Sequence, residues 1–346
     1  MKAIDRVETV EKPIPTVSGS CEAVIKTTTA LVGATDVYSV EGRYGEKKGI
    51  TLGREACGRV YRLGSAVKGF KEGDRVVVNG ITPCFKCHNC QRGFTAHCTE
   101  ALGGWKFGNL KDGTLAQYFH VNEASGNLTH IPDEISDEAA CYTTDVMSSG
   151  FHAAENADIV LGGCVAVFGQ GPIGLMATAA VRLKGAGMVI GVDCVPGRLA
   201  LSKLYGADIT INFKERDPLE AVAEITAGTG VDCSIDAVGD QKPFEDCIKA
   251  TRPGGTVSSI GFRGDDEYLN IPRLEWGLGM SEKTIRTMLF SGGSERMQRL
   301  LRLIQNRRVD PTRLTTHRFT FEEIEKAFRM MAGQEDHIIK PLIVFS

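Results

Sequence analysis

The 346-residue chain is 42% hydrophobic and 24% charged, the composition of a globular protein long enough for two domains with separate cores. A net charge of -3, with Lys and Arg scattered, offers no electrostatic footprint for nucleic acid or an anionic membrane. Of eleven cysteines, seven stand singly, which argues for thiols and metal ligands in a reducing compartment, the cytoplasm by default, and against a disulfide framework.

Met1 to Pro15 is polar, without a signal-like apolar core, and no apolar run long enough to span a membrane follows. Cys21–Thr29, Gly58–Leu63 and Asp74–Asn79 are rich in Val, Ile and Thr and read as short strands broken by glycine. A cysteine-rich stretch runs to Cys98, and a glycine-rich patch lies between Gly103 and Gly113. Asp137 to Asn156 reads as one helix, weakened in its middle by Ser148-Ser149-Gly150. From Gly162 the pattern changes to alternating strands (Cys164–Phe168, Gly187–Asp193, Ile209–Asn212, Val231–Ala237, Thr256–Ile260) and helical stretches such as Leu175–Lys184 and Arg198–Tyr205. That alternation predicts an α/β unit with a doubly wound parallel sheet. The tail from Ser294 carries two amphipathic helical segments and ends on a strand at Ile343–Phe345, consistent with a return to the first domain.

Gly169-Gln170-Gly171-Pro172-Ile173-Gly174 fits G-x-G-x-x-G directly after a strand and at the start of a helix, the context in which it binds a dinucleotide. The first glycine turns the chain, the second lets backbone approach the pyrophosphate and the third packs helix on strand, while free N–H groups meet the phosphate charge. Asp193 closes the next strand, where a carboxylate accepts from ribose hydroxyls and repels a 2′-phosphate; the nearest cation downstream is Arg198. NAD(H) is therefore expected over NADP(H). The structural alternative is a glycine turn in an empty domain, with Asp193 as a helix cap.

Cys84, Cys87, Cys90 and Cys98 are spaced C-x2-C-x2-C-x7-C. Four thiolates fill a tetrahedral zinc and leave no open position, so one structural zinc per chain is expected. An iron–sulfur cluster accepts the same ligands, and a redox C-x-x-C is the other reading, although nothing else here points to electron transfer. His88 and His97 read as exposed loop residues.

On these residues, with Gly73-Asp74-Arg75-Val76-Val77-Val78, Val231-Asp232, Asp236-Ala237-Val238-Gly239 and Lys340-Pro341, the chain resembles the zinc-containing alcohol dehydrogenases of the medium-chain dehydrogenase/reductase superfamily. Gly103 to Phe107, Ser149 to His152, Ile271-Pro272-Arg273 and Trp276 to Met280 resemble the tetrameric secondary alcohol dehydrogenases. The resemblance implies a GroES-like β-rich catalytic domain (1–148 and 291–346), a Rossmann domain (149–290) and a cleft between them. It also implies a homo-oligomer, tetramer or dimer, and a small-molecule substrate. Ile260, Gly261, Phe262 and Lys340 are implied cofactor contacts, and Ile81, Trp105 and Met280 implied pocket residues, Met280 reaching a neighbouring subunit.

Where the family has a zinc-binding Cys and His, this chain reads Gly33-Ala34-Thr35-Asp36 and Gly53-Arg54-Glu55. Asp145 keeps the third ligand position, and Tyr38 replaces the family's relay His. Glycine has no donor and arginine is a permanent cation, so catalytic zinc is expected to be absent. Thr35, Tyr38, Arg54, Glu55 and Asp145 are the candidate catalytic set, with Arg54 either ion-paired to Asp145 as a plug or turned to substrate. Three readings stay open: a zinc-free oxidoreductase acting on a carbonyl, alcohol or activated C=C; a dead or merely dinucleotide-binding scaffold; and a zinc enzyme with unusual ligands.

Overall fold

The computed structural model describes residues 1–262 and 267–346, which divide into unit 1 (Met1–Ser148 with Ser291–Ser346) and unit 2 (Ser149–Phe290). Strands in chain order are β1 Ala23–Leu31, β2 Ala56–Leu63, β3 Arg75–Val78, β4 Tyr118–Val121, β5 Leu128–His130, β6 Cys164–Phe168, β7 Met188–Asp193, β8 Ile209–Asn212, β9 Val231–Asp236, β10 Thr251–Ser259, β11 Thr284–Thr287, β12 Thr315–Thr320 and β13 Lys340–Val344.

Unit 1 is built on the order β12-β13-β1-β2-β3-β5, with β4 also on β1. The β-branched run of β1 sits at its centre and pairs antiparallel with β2, β4 and β13. The C-terminal strand thus returns to the N-terminal one, as the tail pattern predicts. Ile25, Val60, Val76, Phe119 and Ile343 are among the buried side chains of its core. The tail also holds β12, which the sequence pattern does not reveal; its alternation of exposed and part-buried residues mixes Thr, His and Arg.

Unit 2 is a parallel sheet in the order β11-β10-β9-β6-β7-β8, the doubly wound arrangement that alternation predicts. β6 is a near-continuous apolar run because helices cover both faces of such a sheet.

The expected helix 137–156 is two helices, Asp137–Cys141 and Val146–Asn156. The break falls at residues 142–145, where the hydroxyls of Thr143 and Thr144 bond back to the carbonyls of Ala140 and Cys141, both at 2.7 Å. Ser148-Ser149-Gly150 stays helical instead. Gly150 is a packing point: a Cβ there would lie 2.6 Å from the Ile173 carbonyl oxygen and 2.7 Å from the Ala177 nitrogen on the helix Pro172–Leu183. Gly150→Ala is therefore expected to cost about 1–3 kcal/mol by overpacking. Gly197→Ala, where a Cβ meets nothing within 4 Å, should be neutral or stabilising. Thermal unfolding of the two variants checks this, and equal melting points would refute the packing account.

Candidate functional site

In unit 2, β6 ends at Phe168 and Gly169 turns the chain with φ +87. A Cβ at Gly174 would lie 1.8 Å from the Gly169 carbonyl oxygen, so helix and turn touch backbone to backbone. Gly171 caps the helix Pro172–Leu183 without any side-chain bond, and a Cβ there would meet nothing within 4 Å. The helix N-terminus is thus open in front, and Pro172 and Ile173 carry it away from the turn. This arrangement can take a pyrophosphate. Asp193 Oδ2 accepts from Gln170 N at 2.7 Å, and Oδ1 accepts from Cys194 N and Val195 N at 2.7 and 2.9 Å. Arg198 comes within 3.9 Å of Oδ2. The carboxylate therefore locks the glycine turn to the strand end, and about one of its four lone-pair sites remains for a ribose hydroxyl. Ile260 N and Gly261 N both reach the Asp236 carbonyl, Gly261 packs on Gly239, and Phe262 is exposed.

In unit 1, Cys84, Cys87, Cys90 and Cys98 bring their sulfurs within 4.8 Å of one another. The Cys84–Cys90 and Cys87–Cys98 sulfur distances are 3.9 Å, close to the edge of about 3.8 Å that a tetrahedron of zinc–sulfur bonds has. Backbone N–H groups of Thr99 and Cys90 hold the Cys87 thiol down at about 5, which favours a metal-ready thiolate. The donor set and its spacing fit zinc. His88 begins the short helix of this lobe and His97 ends its 3-10 turn, and neither belongs to the sulfur cluster.

A second cluster lies at the ends of β1, β2 and β13. Thr35, Asp36 and Tyr38 sit on the helix Ala34–Val40, with Thr35 and Tyr38 one turn apart on one face. Asp36 is spent locally, its two oxygens accepting from Gly33 N and Gly53 N at 2.9 Å each. Arg43 lies 4.5 Å over the Tyr38 ring. Glu55 and Lys340 form a buried ion pair, Nζ to Oε1 2.5 Å. Lys340, expected to contact cofactor, is thus committed to Glu55 in this structure. The second Glu55 oxygen has no hydrogen-bond partner among the described residues. Burial pushes the Glu55 carboxyl up to about 7; Lys340 pulls it down, and Asp145 and Asp36 push it further up.

Arg54 is 2% exposed, and its Nε and both Nη groups have no hydrogen-bond partner among the described residues. The expected hydrogen-bonded pair with Asp145 is not formed. One face of the guanidinium lies 4.8 Å from the centre of Trp105, a cation–π contact of about 1–2 kcal/mol when desolvated. That is less than the several kcal/mol that an unpaired buried charge costs. Trp105 in turn meets Tyr44 edge-on at 5.3 Å, a neighbour sequence reasoning missed because a tyrosine in a polar loop carries no signal. Burial raises the Tyr44 phenol to about 12, with Arg54 opposing and Asp36, Tyr38 and Asp145 adding to it, which places all five together. Asp145 is buried, and a Cβ on Gly80 would stand 3.2 Å from the Arg54 carbonyl oxygen and 3.8 Å from the Asp145 Cβ. Of the implied pocket residues, Trp105 joins this cluster, Ile81 is fully buried against Gly292, and Met280 is 77% exposed in unit 2. As metal donors these side chains are poor: Gly33 offers nothing, Arg54 is cationic and Glu55 is held by Lys340.

Because the carboxyl of Glu55 is raised from 4.5 to about 7, the folded chain holds an extra proton between those values. The stability this contributes is complete below pH 4.5 and is lost as pH rises through 7, by up to about 3 kcal/mol. Urea unfolding across this range should show that slope in the wild type and not in Glu55→Gln. Equal slopes would refute the assignment.

Residues 19–133 match the alcohol dehydrogenase GroES-like domain, and residues 172–306 match the zinc-binding dehydrogenase family. The chain is 44% identical to the NADP-dependent isopropanol dehydrogenase of Thermoanaerobacter brockii, over 100% of this chain and 99% of that one. It is 41% identical to an alcohol dehydrogenase of Cupriavidus necator, over 97% and 94% of the two chains. Among solved structures, the alcohol dehydrogenase TADH from Thermus sp. ATN1 superposes with a TM-score of 0.90 at 25% identity, over 100% of this chain and 99% of that one. With the doubly wound sheet, the glycine turn and the four-cysteine lobe, these likenesses establish that the chain belongs to the zinc-binding alcohol dehydrogenase family and is an oxidoreductase of that type.

Proposed function

We propose that this oxidoreductase interconverts a carbonyl compound and its alcohol with NAD(H), using Arg54 as the electrophile in place of a catalytic zinc, and keeps one zinc in the four-cysteine lobe. The observation that carries the reading is the buried Arg54 guanidinium with no hydrogen-bond partner among the described residues. A plug would have found an acceptor. A preorganised donor set aimed at an oxygen that gains charge is the alternative use of the same side chain, and it needs no reorganisation during reaction. The isopropanol dehydrogenase relative implies carbonyl chemistry rather than reduction of a C=C bond.

The turn from Gly169 to Gly174 would hold a nicotinamide cofactor, which would supply the hydride. Arg54 polarises the carbonyl oxygen, and Trp105 fixes the plane of the guanidinium. Thr35 and Tyr38, one turn apart, lead a proton to or from that oxygen. Glu55, with one free oxygen and a carboxyl at about 7, is the neighbouring group whose charge changes near neutral pH.

NADP appears in the name of the Thermoanaerobacter brockii relative, yet the Asp193 carboxylate stands at the end of β7 beside the glycine turn, which supports the NAD(H) reading. Arg198, within 3.9 Å, is the cation that pairs with it among the described residues. NADH should bind at least tenfold more tightly than NADPH, about 1.4 kcal/mol, and Asp193→Gly should narrow the gap. A titration giving equal affinities for the wild type would overturn the NAD assignment.

Elemental analysis should give one zinc per chain. Arg54→Lys, which keeps charge and loses the planar fork, should lower kcat about 100-fold with NADH affinity unchanged. Turnover unaffected in that variant, or raised in the wild type by added zinc, would refute the metal-free reading.

A further inference from the structure

Resting on that reading, we propose that the substrate carries a carboxylate beside its reactive carbonyl, so that the reaction pair is a short 2-oxo acid and its 2-hydroxy acid, held by the Arg54 fork. Arg54 is buried, one face of its plane is covered by Trp105, and its three nitrogens have no hydrogen-bond partner among the described residues. The nearby acids have turned elsewhere: Asp36 to Gly33 N and Gly53 N, and Glu55 to Lys340. Asp145 makes no hydrogen bond to Arg54, since all three guanidinium nitrogens lack one. A guanidinium cannot lose its proton to escape burial, and with no acceptor among the described residues the ligand is taken to supply one.

The chemistry of that acceptor is constrained from two sides. A lone ketone oxygen satisfies only part of a fork with five donors. A 2-oxo acid presents its carbonyl oxygen and one carboxylate oxygen in one plane, and that pair fills two parallel N–H donors. Conversely, Asp36, Glu55 and Asp145 surround the site with carboxylates, which disfavours a dianion such as a phosphate ester. A small monoanion remains. The edge-on Tyr44–Trp105 pair at 5.3 Å adds an apolar wall suited to a short side chain.

In the reducing direction a C–H bond forms as the carbonyl carbon takes a hydride from NADH, the carbonyl π bond breaks onto oxygen, and that oxygen takes a proton. The balance is 2-oxo acid, NADH and a proton to 2-hydroxy acid and NAD⁺. Binding both oxygens on one fork also sets the face of the carbonyl, which predicts a single enantiomer of product.

The test uses the full chain with Trp276→Phe, which leaves Trp105 as the sole tryptophan and places a reporter on the Arg54 ring contact. Oxamate, acetate and acetamide are titrated against Trp105 emission, with NADH present and absent. The expected result is saturable binding of oxamate at least tenfold tighter than acetamide, with acetate between them. Arg54→Lys should weaken oxamate at least tenfold while NADH affinity and zinc content stay unchanged, which shows that the variant is folded; Arg54→Met should abolish it. Acetamide binding as tightly as oxamate would overturn the 2-oxo acid proposal and leave Arg54 as an electrophile for neutral ketones. Oxamate binding that survives both Arg54 variants, or no oxamate binding in either cofactor state, would overturn it as well. Failure of the underlying metal-free reading registers separately, as zinc-stimulated turnover.

Discussion

The ion pair between Glu55 and Lys340 closes one end of the unit 1 sheet, and the candidate site is arranged around it. Glu55 stands just before β2 and Lys340 opens β13, while β1 between them runs out into Gly33. The backbone ties the same three ends, since Leu31 N reaches the Glu55 carbonyl and Val32 N reaches the Pro341 carbonyl. With both charges nearly excluded from water, removing either partner would strand the other, the circumstance in which a buried pair matters most. Its position also explains Gly33. A Cβ there would stand 3.1 Å from Glu55 Oε1 and 3.3 Å from Lys340 Nζ, tighter than nearly all real contacts. A thiol at that position would require the ends of Glu55 and Lys340 to give by a few tenths of an ångström.

The same geometry bears on Arg54. The residue follows Gly53, whose φ of +96 and whose N–H bond to Asp36 fix the direction in which the next side chain leaves. Since Asp36 is consumed by that task and Glu55 by Lys340, the guanidinium enters a neighbourhood rich in carboxylates and still lacks a hydrogen bond. The aromatic face of Trp105 is a partial compensation.

Much of this was legible in the sequence because it depends on local rules. The glycine turn with its strand and helix, the four-cysteine spacing and the alternation of unit 2 each state a physical requirement within a few residues. What escaped depends on contacts distant in sequence. The helix break at Thr143-Thr144 arises from side chains bonding back to backbone rather than from Gly150, whose lack of a side chain serves a neighbouring helix. The partner of Glu55 lies 285 residues away, and spacing cannot reveal it. Arg54 marked the site as unusual from the sequence alone, but its pairing could not be read there, because Asp145 looked available and the role of Trp105 was invisible.

The cysteine lobe and the Arg54 cluster are joined through Trp105, so the shape of the lobe bears on the cluster. Gly103 approaches Cys98 so closely that a Cβ would lie 2.4 Å from its sulfur, and Gly104 exchanges backbone bonds with Thr82. Trp105 N then bonds to the Ala96 carbonyl, inside the loop between Cys90 and Cys98. Lys111 adds a second clamp, its buried ammonium reaching Thr82, Leu102 and Asn122. The indole that covers Arg54 is therefore held by a segment whose shape depends on four sulfurs converging. Burial raises the Cys90 and Cys98 thiols, so a cation at the centre is what would hold them as thiolates and draw the segment together. A cation held by the four sulfurs would therefore act at a distance, by orienting the indole that covers Arg54.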